Sequence, residues 1–183
     1  TSTIEEEEQA ASMLPNLEPT YPPDEHFDWD LVIVVPTHIS EFSRRCAVRD
    51  SWGRQLRGHE QGNRQGKRTV KLVFIIGAHA PDDRTRAMAL AEQRQFGDIH
   101  VLPSDFVDEY RSLATKTRLS MRDAVHNIGK FRLLLKTDTD SFVHLERLLA
   151  YIDKEGMWND RRVYAGAFRT DVVEWRQEDK GSK

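Results

Sequence analysis

The apolar run Leu31-Val32-Ile33-Val34-Val35 is short, rich in β-branched residues and stopped by Pro36, which is the pattern of a strand buried on both faces. Past it, Ser40 or Ser43 is placed to cap a helix running to about Trp52. Residues 53–68 turn to Gly, Gln, Arg and Asn without periodicity and predict a flexible surface loop. Apolar pattern resumes at residues 70–77 as a second buried strand. Pro81-Asp82-Asp83 then makes a good first turn, with acids at the positive helix end, for a helix reaching Phe96 and stopped by Gly97. Further along, the pattern predicts a third strand over 98–102, a long amphipathic helix over 110–128 and a fourth strand over 132–136. A helix over 145–154, closed by Gly156, and a last strand over 162–165 complete it. Strands alternating with helices imply an α/β layered fold with a mostly parallel sheet. No internal repeat is visible.

Composition changes this picture at the ends of the chain. Its 183 residues suit one globular domain. The formal net charge of -3 is uneven, because residues 1–30 hold nine acids and no Lys or Arg, leaving an excess of basic residues in the remainder. With Glu5-Glu6-Glu7-Glu8 and then Pro15, Pro19, Pro22 and Pro23, residues 1–30 have the composition of a stem or linker. The predicted organisation is therefore a stem over 1–30, an α/β domain over 31–175 and a polar tail over 176–183. No apolar run of about 18 residues predicts a membrane span, and no signal-peptide pattern opens the chain. Cys46 is the only cysteine, which excludes an internal disulfide and a cysteine-based zinc site and suits a small core or helix-face residue. The seven histidines show no pair at metal-ligand spacing on one helix.

The segment Lys136-Thr137-Asp138-Thr139-Asp140 carries the candidate chemistry. Ligands of open α/β sheets bind at the carboxyl ends of the strands, and two carboxylates spaced i and i+2 stand just past an apolar strand here. On an extended backbone Asp138 and Asp140 point to one side, where both reach a single cation and the phosphates it bridges, while Thr139 alternates away. Lys136 shares the parity of the two acids, so its ammonium either faces the same anionic ligand or balances the carboxylates. An EF-hand is excluded, since Val143 stands where that loop needs Gly and Leu149 where it needs a bidentate acid. A dehalogenase-type phosphatase lacks its downstream lysine and acidic pair, and a replicative polymerase does not fit in 183 residues. Trp52 is expected in the core. Arg49 is open between helix face and ligand contact, Lys116 taken alone is a solvated helix residue, and Asp105 and Asp108 suit helix caps.

Four blocks in order resemble the β-1,3-glycosyltransferase family of galactosyl- and N-acetylglucosaminyltransferases, related to Fringe. Arg44-Arg45-Cys46-Ala47-Val48-Arg49-Asp50-Ser51-Trp52 is similar to its Arg-Arg-x-Ala-Ile-Arg-x-Thr-Trp element, and Phe74-Ile75-Ile76-Gly77 to its Phe-x-x-Gly strand. Asp105-Phe106-Val107-Asp108-Glu109-Tyr110-Arg111-Ser112-Leu113-Ala114-Thr115-Lys116 resembles its Asp-Phe-x-Asp-x-Tyr-x-Asn-Leu-Thr-x-Lys block. Lys136 to Val143 resembles Lys-x-Asp-Asp-Asp-x-Phe-Val.

The resemblance implies a type-A glycosyltransferase fold, Rossmann-like with a mostly parallel sheet, here incomplete at the C-terminus. It implies a UDP-sugar donor, Mn²⁺ or Mg²⁺, and inverting transfer of galactose or an N-acetylhexosamine to a 3-hydroxyl of a glycan or glycoprotein acceptor. No nucleic-acid partner is expected. A Golgi lumenal location follows from the same resemblance, with a type II membrane anchor absent from this chain. By position, Asp140 is the implied direct metal ligand and Asp138 contacts the ribose or the metal shell. Arg49 and Lys116 are implied at the nucleotide side, joined by Lys136 from the strand parity above. Thr139 replaces the family's middle acid and Ser112 its Asn. The family's catalytic base lies in a segment past Trp175, so no catalytic residue is assigned and the base is expected beyond this chain. The alternative is a non-catalytic UDP- or glycan-binding module or an inactive fragment of such an enzyme.

Overall fold

The computed structural model describes residues 26–57, 59, 67–159 and 163–166. Four strands, β1 (Trp29–Pro36), β2 (Val70–Ile76), β3 (Ile99–Val101) and β4 (Phe131–Lys136), form one sheet in the order β3-β2-β1-β4. Every pairing is parallel, with Ile33 of β1 opposite Leu72 of β2 on one side and Leu135 of β4 on the other. Parallel neighbours need crossovers, and helices α1 (Phe42–Asp50), α2 (Asp83–Phe96) and α3 (Leu113–Asn127) occupy the three connections, while α4 (Leu145–Lys154) follows β4.

The β-branched run of β1 is buried on both faces because side-chain alternation splits it between two cores. Leu31, Ile33 and Val35 join Val48 of α1, Ala89 of α2 and Leu145 and Ile152 of α4. Val32 and Val34 join Val73, Ile75, Phe106 and Ala124 of α3. The sheet is thus covered on both faces, and β1 is where strand order reverses: β2 and β3 extend one way, β4 the other. This is a Rossmann-like architecture.

Local chemistry sets the element ends. Asp82 caps α2 by accepting the Thr85 N–H at 2.7 Å, and Gly97, at φ 66°, ends it in the left-handed region. Elsewhere the sequence expectations are corrected. Neither Ser40 nor Ser43 caps α1; Glu41 holds the N-cap position, and its carboxylate turns back to the preceding loop. α1 stops at Asp50 rather than Trp52, with the Ser51 hydroxyl donating to the Ala47 carbonyl at 2.6 Å. A 3-10 turn (Trp52–Leu56) follows, burying Trp52 and Leu56, so the predicted loop begins later than residue 53. The predicted helix over 110–128 opens as a separate 3-10 turn (Tyr110–Ser112), since the Ser112 hydroxyl accepts the Glu109 N–H and holds a tighter turn before α3. Trp29 and Asp30, assigned to the stem, lie in β1. Of the predicted last strand, Val163 to Ala165 adopt irregular backbone outside the sheet, and Arg162 lies outside the described residues, as do most of the stem and the whole tail.

Candidate donor-binding site

The carboxyl ends of β1 and β4 lie side by side at the point where strand order reverses, the place where open α/β sheets bind ligands. A cleft of about 550 Å³ opens there, a size ordinary for a small-molecule site. Thr37 and His38 enter it from β1, Lys136 and residues 138–140 from β4, and Lys116 and Thr117 from α3. The segment before α3 adds Asp108 and Tyr110.

β4 ends at Lys136, and the chain then turns, with the Ser141 N–H donating to the Asp138 carbonyl at 3.1 Å. Alternation ceases with the strand, so Thr139, expected to point away, also lines the cleft beside Asp138 and Asp140. The turn is pinned from the opposite side of the chain. Buried Trp52 donates its indole N–H to the Ser141 carbonyl at 3.0 Å, and Gln55 accepts the Leu145 N–H at 2.9 Å. Trp52 therefore fills the core, as expected, and also fixes the acidic turn.

The β1 side is equally constrained. Glu41 accepts the Thr37 hydroxyl at 2.9 Å and the His38 N–H at 3.0 Å. Burial opposes ionisation of its carboxyl, yet those two donors and the charge of Arg44 outweigh it and hold Glu41 below the usual glutamate range. Arg45, fully buried, donates to the carbonyls of His38 and Ile39 at 2.7 and 3.0 Å while forking onto Glu92 at 2.9 and 2.6 Å. This buried pair fixes the loop after β1 from behind.

Lys116 is not solvated, as its helix position alone suggested, but 4% exposed. Its ammonium donates to the Thr37 carbonyl at 2.8 Å and to Asp108 at 2.5 Å. Asp108 is therefore a partner of Lys116 and not a helix cap; Glu109 takes the cap position. Asp108 packs over Gly77, where an added Cβ would stand 2.8 Å from the Asp108 Cβ. Lys136, by contrast, is half-buried and donates to Asp138 at 2.8 Å, the balancing role rather than a free approach to the cleft.

Arg49 lies elsewhere. It lines a separate cavity of about 300 Å³ with Trp29 and Lys71. Its guanidinium forks onto Asp98 with both contacts at 2.7 Å, reaches Glu92 at 2.8 Å and stacks on the rings of Phe74 and Phe96. Burial works against its charge, but Asp98 and Glu92 prevail and raise its pKa. The Arg49 side chain is thus committed to joining α1, α2 and β3, which separates it from the acidic pair.

Four of the five residues singled out from sequence, Lys116, Lys136, Asp138 and Asp140, share one cleft; Arg49 does not. Sequence reasoning missed Thr37, Glu41, Arg45 and Asp108 as site residues. The strand-end rule could have found Thr37, one residue past β1; the partners of the others are set by packing. Among the described residues no group of three or more His, Cys, Asp or Glu forms a protein-only metal cage. Two exposed carboxylates in one cleft nonetheless fit a hard divalent cation, which commonly takes one or two protein carboxylates and fills its remaining positions from substrate phosphates and water.

The family model described as Galactosyltransferase matches residues 43–182. Over 136 residues the chain is 33% identical to β-1,3-galactosyltransferase 1 of Mus musculus and, equally, of Homo sapiens, covering 74% of this chain and 39% of each relative. It is 31% identical over 126 residues to UDP-GalNAc:β-1,3-N-acetylgalactosaminyltransferase 1 of Rattus norvegicus, covering 67% of this chain and 35% of the relative. The chain thus spans less than two fifths to about two fifths of the length of these curated relatives. With the match over most of its length and its parallel sheet both in place, the chain belongs to the galactosyltransferase family of β-1,3-glycosyltransferases.

Proposed function

We propose that this chain forms the donor-binding part of a metal-dependent glycosyltransferase, which transfers galactose or an N-acetylhexosamine from a UDP-sugar to a 3-hydroxyl of a glycan acceptor with inversion. The observation that carries this reading is the meeting of Asp138 and Asp140 with Lys116 and Lys136 in the cleft at the β1/β4 reversal. The names of the relatives, a β-1,3-galactosyltransferase and a UDP-GalNAc-using β-1,3 enzyme, support the linkage and the nucleotide. The same kinship supports a Golgi lumenal location; no described helix is long and apolar enough to cross a membrane.

In this reading Asp138 and Asp140 would hold Mn²⁺ or Mg²⁺. When bound, the cation supplies charge stabilisation for the departing UDP without a proton. The protein's own residues provide the rest of the donor site. The 138–141 turn, pinned by Trp52, fixes the carboxylates. The Lys116–Asp108 pair and Arg45 hold the loop after β1 as the facing wall. The acceptor base is assigned to the family's region C-terminal to this match.

Titration calorimetry with UDP tests the proposal. Binding is expected in the presence of Mn²⁺, and both chelation and Asp140→Ala should weaken it at least about tenfold, roughly 1.4 kcal/mol. No binding by the wild-type chain, or equal binding by the variant, would defeat the reading.

A further inference from the structure

The cleft holds two lysines in opposite states. Lys116 is locked: 4% exposed, with its ammonium on a backbone carbonyl and a buried carboxylate. Among the described residues Lys136 is held by Asp138 alone, in a pair whose side chains are 31% and 58% exposed. A buried pair cannot exchange partners without stranding a charge, whereas a solvent-exposed pair is held weakly and gives up its partner readily. The charges around the cleft add a second constraint. Its lining carries five carboxylates (Glu41, Asp108, Glu109, Asp138 and Asp140) against three cations (Arg44, Lys116 and Lys136), a formal charge of -2. A diphosphate entering such a cleft meets net repulsion, and Asp138 already has a cation on it.

Resting on the donor-site reading above, we infer that Lys136 is an exchangeable internal counter-ion. It occupies Asp138 while the cleft is without ligand and leaves for a phosphate oxygen when a divalent cation takes that carboxylate. Lys136 therefore competes with the cation in the absence of nucleotide and assists the nucleotide once the cation is bound. Its side chain supplies part of the coupling between the two ligands, and by linkage that coupling is the same whichever ligand binds first.

The test uses the 183-residue chain, with Mn²⁺ binding followed by electron paramagnetic resonance of the free ion and UDP binding by calorimetry at saturating Mn²⁺. Lys136→Gln should bind Mn²⁺ alone about three- to tenfold more tightly and UDP about three- to tenfold more weakly, lowering the Mn²⁺–UDP coupling factor, a range typical of coupling between sites. Lys136→Arg, which keeps the charge, should remain within about twofold of wild type in both and serves as the reporter if the Gln variant fails to fold; an Arg variant that loses the coupling then overturns the inference. Weaker or unchanged Mn²⁺ binding by a folded Gln variant, or unchanged UDP binding, also overturns it while leaving the donor-site reading intact. A wild-type chain that binds neither ligand overturns both.

Discussion

Lys116 and Lys136 differ by what surrounds their ammonium groups. Lys116 points its ammonium at Asp108 and the Thr37 carbonyl, both screened from water. Replacing it with Met keeps most of the aliphatic stem and leaves the Asp108 carboxylate buried without its cation. Lys116→Met should therefore destabilise the domain by about 3–5 kcal/mol in urea denaturation, a large share of the 5–15 kcal/mol typical of whole domains. Adding Asp108→Leu should recover much of that loss, because the stranded charge is then gone. A midpoint in Lys116→Met equal to wild type would show that the pair is solvated. Lys116 also marks a limit of reading residues in order. Flanked by Thr115, Thr117 and Arg118, it has the local pattern of a surface position, and the carbonyl that receives it is 79 residues away. The surroundings of Arg49 are hidden for the same reason, since its carboxylate partner Asp98 is 49 residues off. The position of Asp138 and Asp140 was legible because an apolar strand immediately before them fixes their place in any parallel sheet.

Elements were more legible than their seams. β1 and β2 announce themselves as uninterrupted apolar runs, and α2 by its capping acid and terminal Gly97. The junctions at Ser51 and at Ser112 were hidden because hydroxyl-to-backbone hydrogen bonds tighten the turns there, a choice that periodicity does not encode. Gly77, just after β2, shows a seam with functional weight. Gly97 is required by its backbone angle, with open space around it, whereas Gly77 is required by contact with Asp108. A methyl group at Gly77 pushes on the Asp108 Cβ, which unlike a side-chain tip cannot swing aside. Gly77→Ala should cost about 1–3 kcal/mol of stability and weaken UDP binding measurably, because the Asp108 segment moves off Lys116 and out of the cleft wall. Thermal melting and calorimetry read the two effects separately; UDP affinity unchanged in a destabilised variant would mean that this wall does not touch the donor.

At the scale of the whole molecule, the described sheet has a centre and two edges, β3 and β4, and they do not share the work evenly. β1 has a parallel partner on each side, whereas β4, which delivers the acidic turn, is paired with β1 alone among the described residues and is only partly covered. The buried Arg45–Glu92–Arg49–Asp98 network and both hydrophobic cores converge on β1 and β2, leaving the acidic turn braced chiefly through Trp52 and Gln55. This asymmetry sets a clock on the backbone. In a strand with one partner, alternate amide groups face away from it, so in heavy water those amides of β4 should lose their protons at least roughly tenfold faster than the amides of β1, following local opening rather than global unfolding. Mass spectrometry of peptic fragments with and without Mn²⁺ and UDP would time it. Uniform protection across β1 and β4 would show that the edge is closed, while slowing confined to β4 and its turn would mark the ligand as what completes this edge of the sheet.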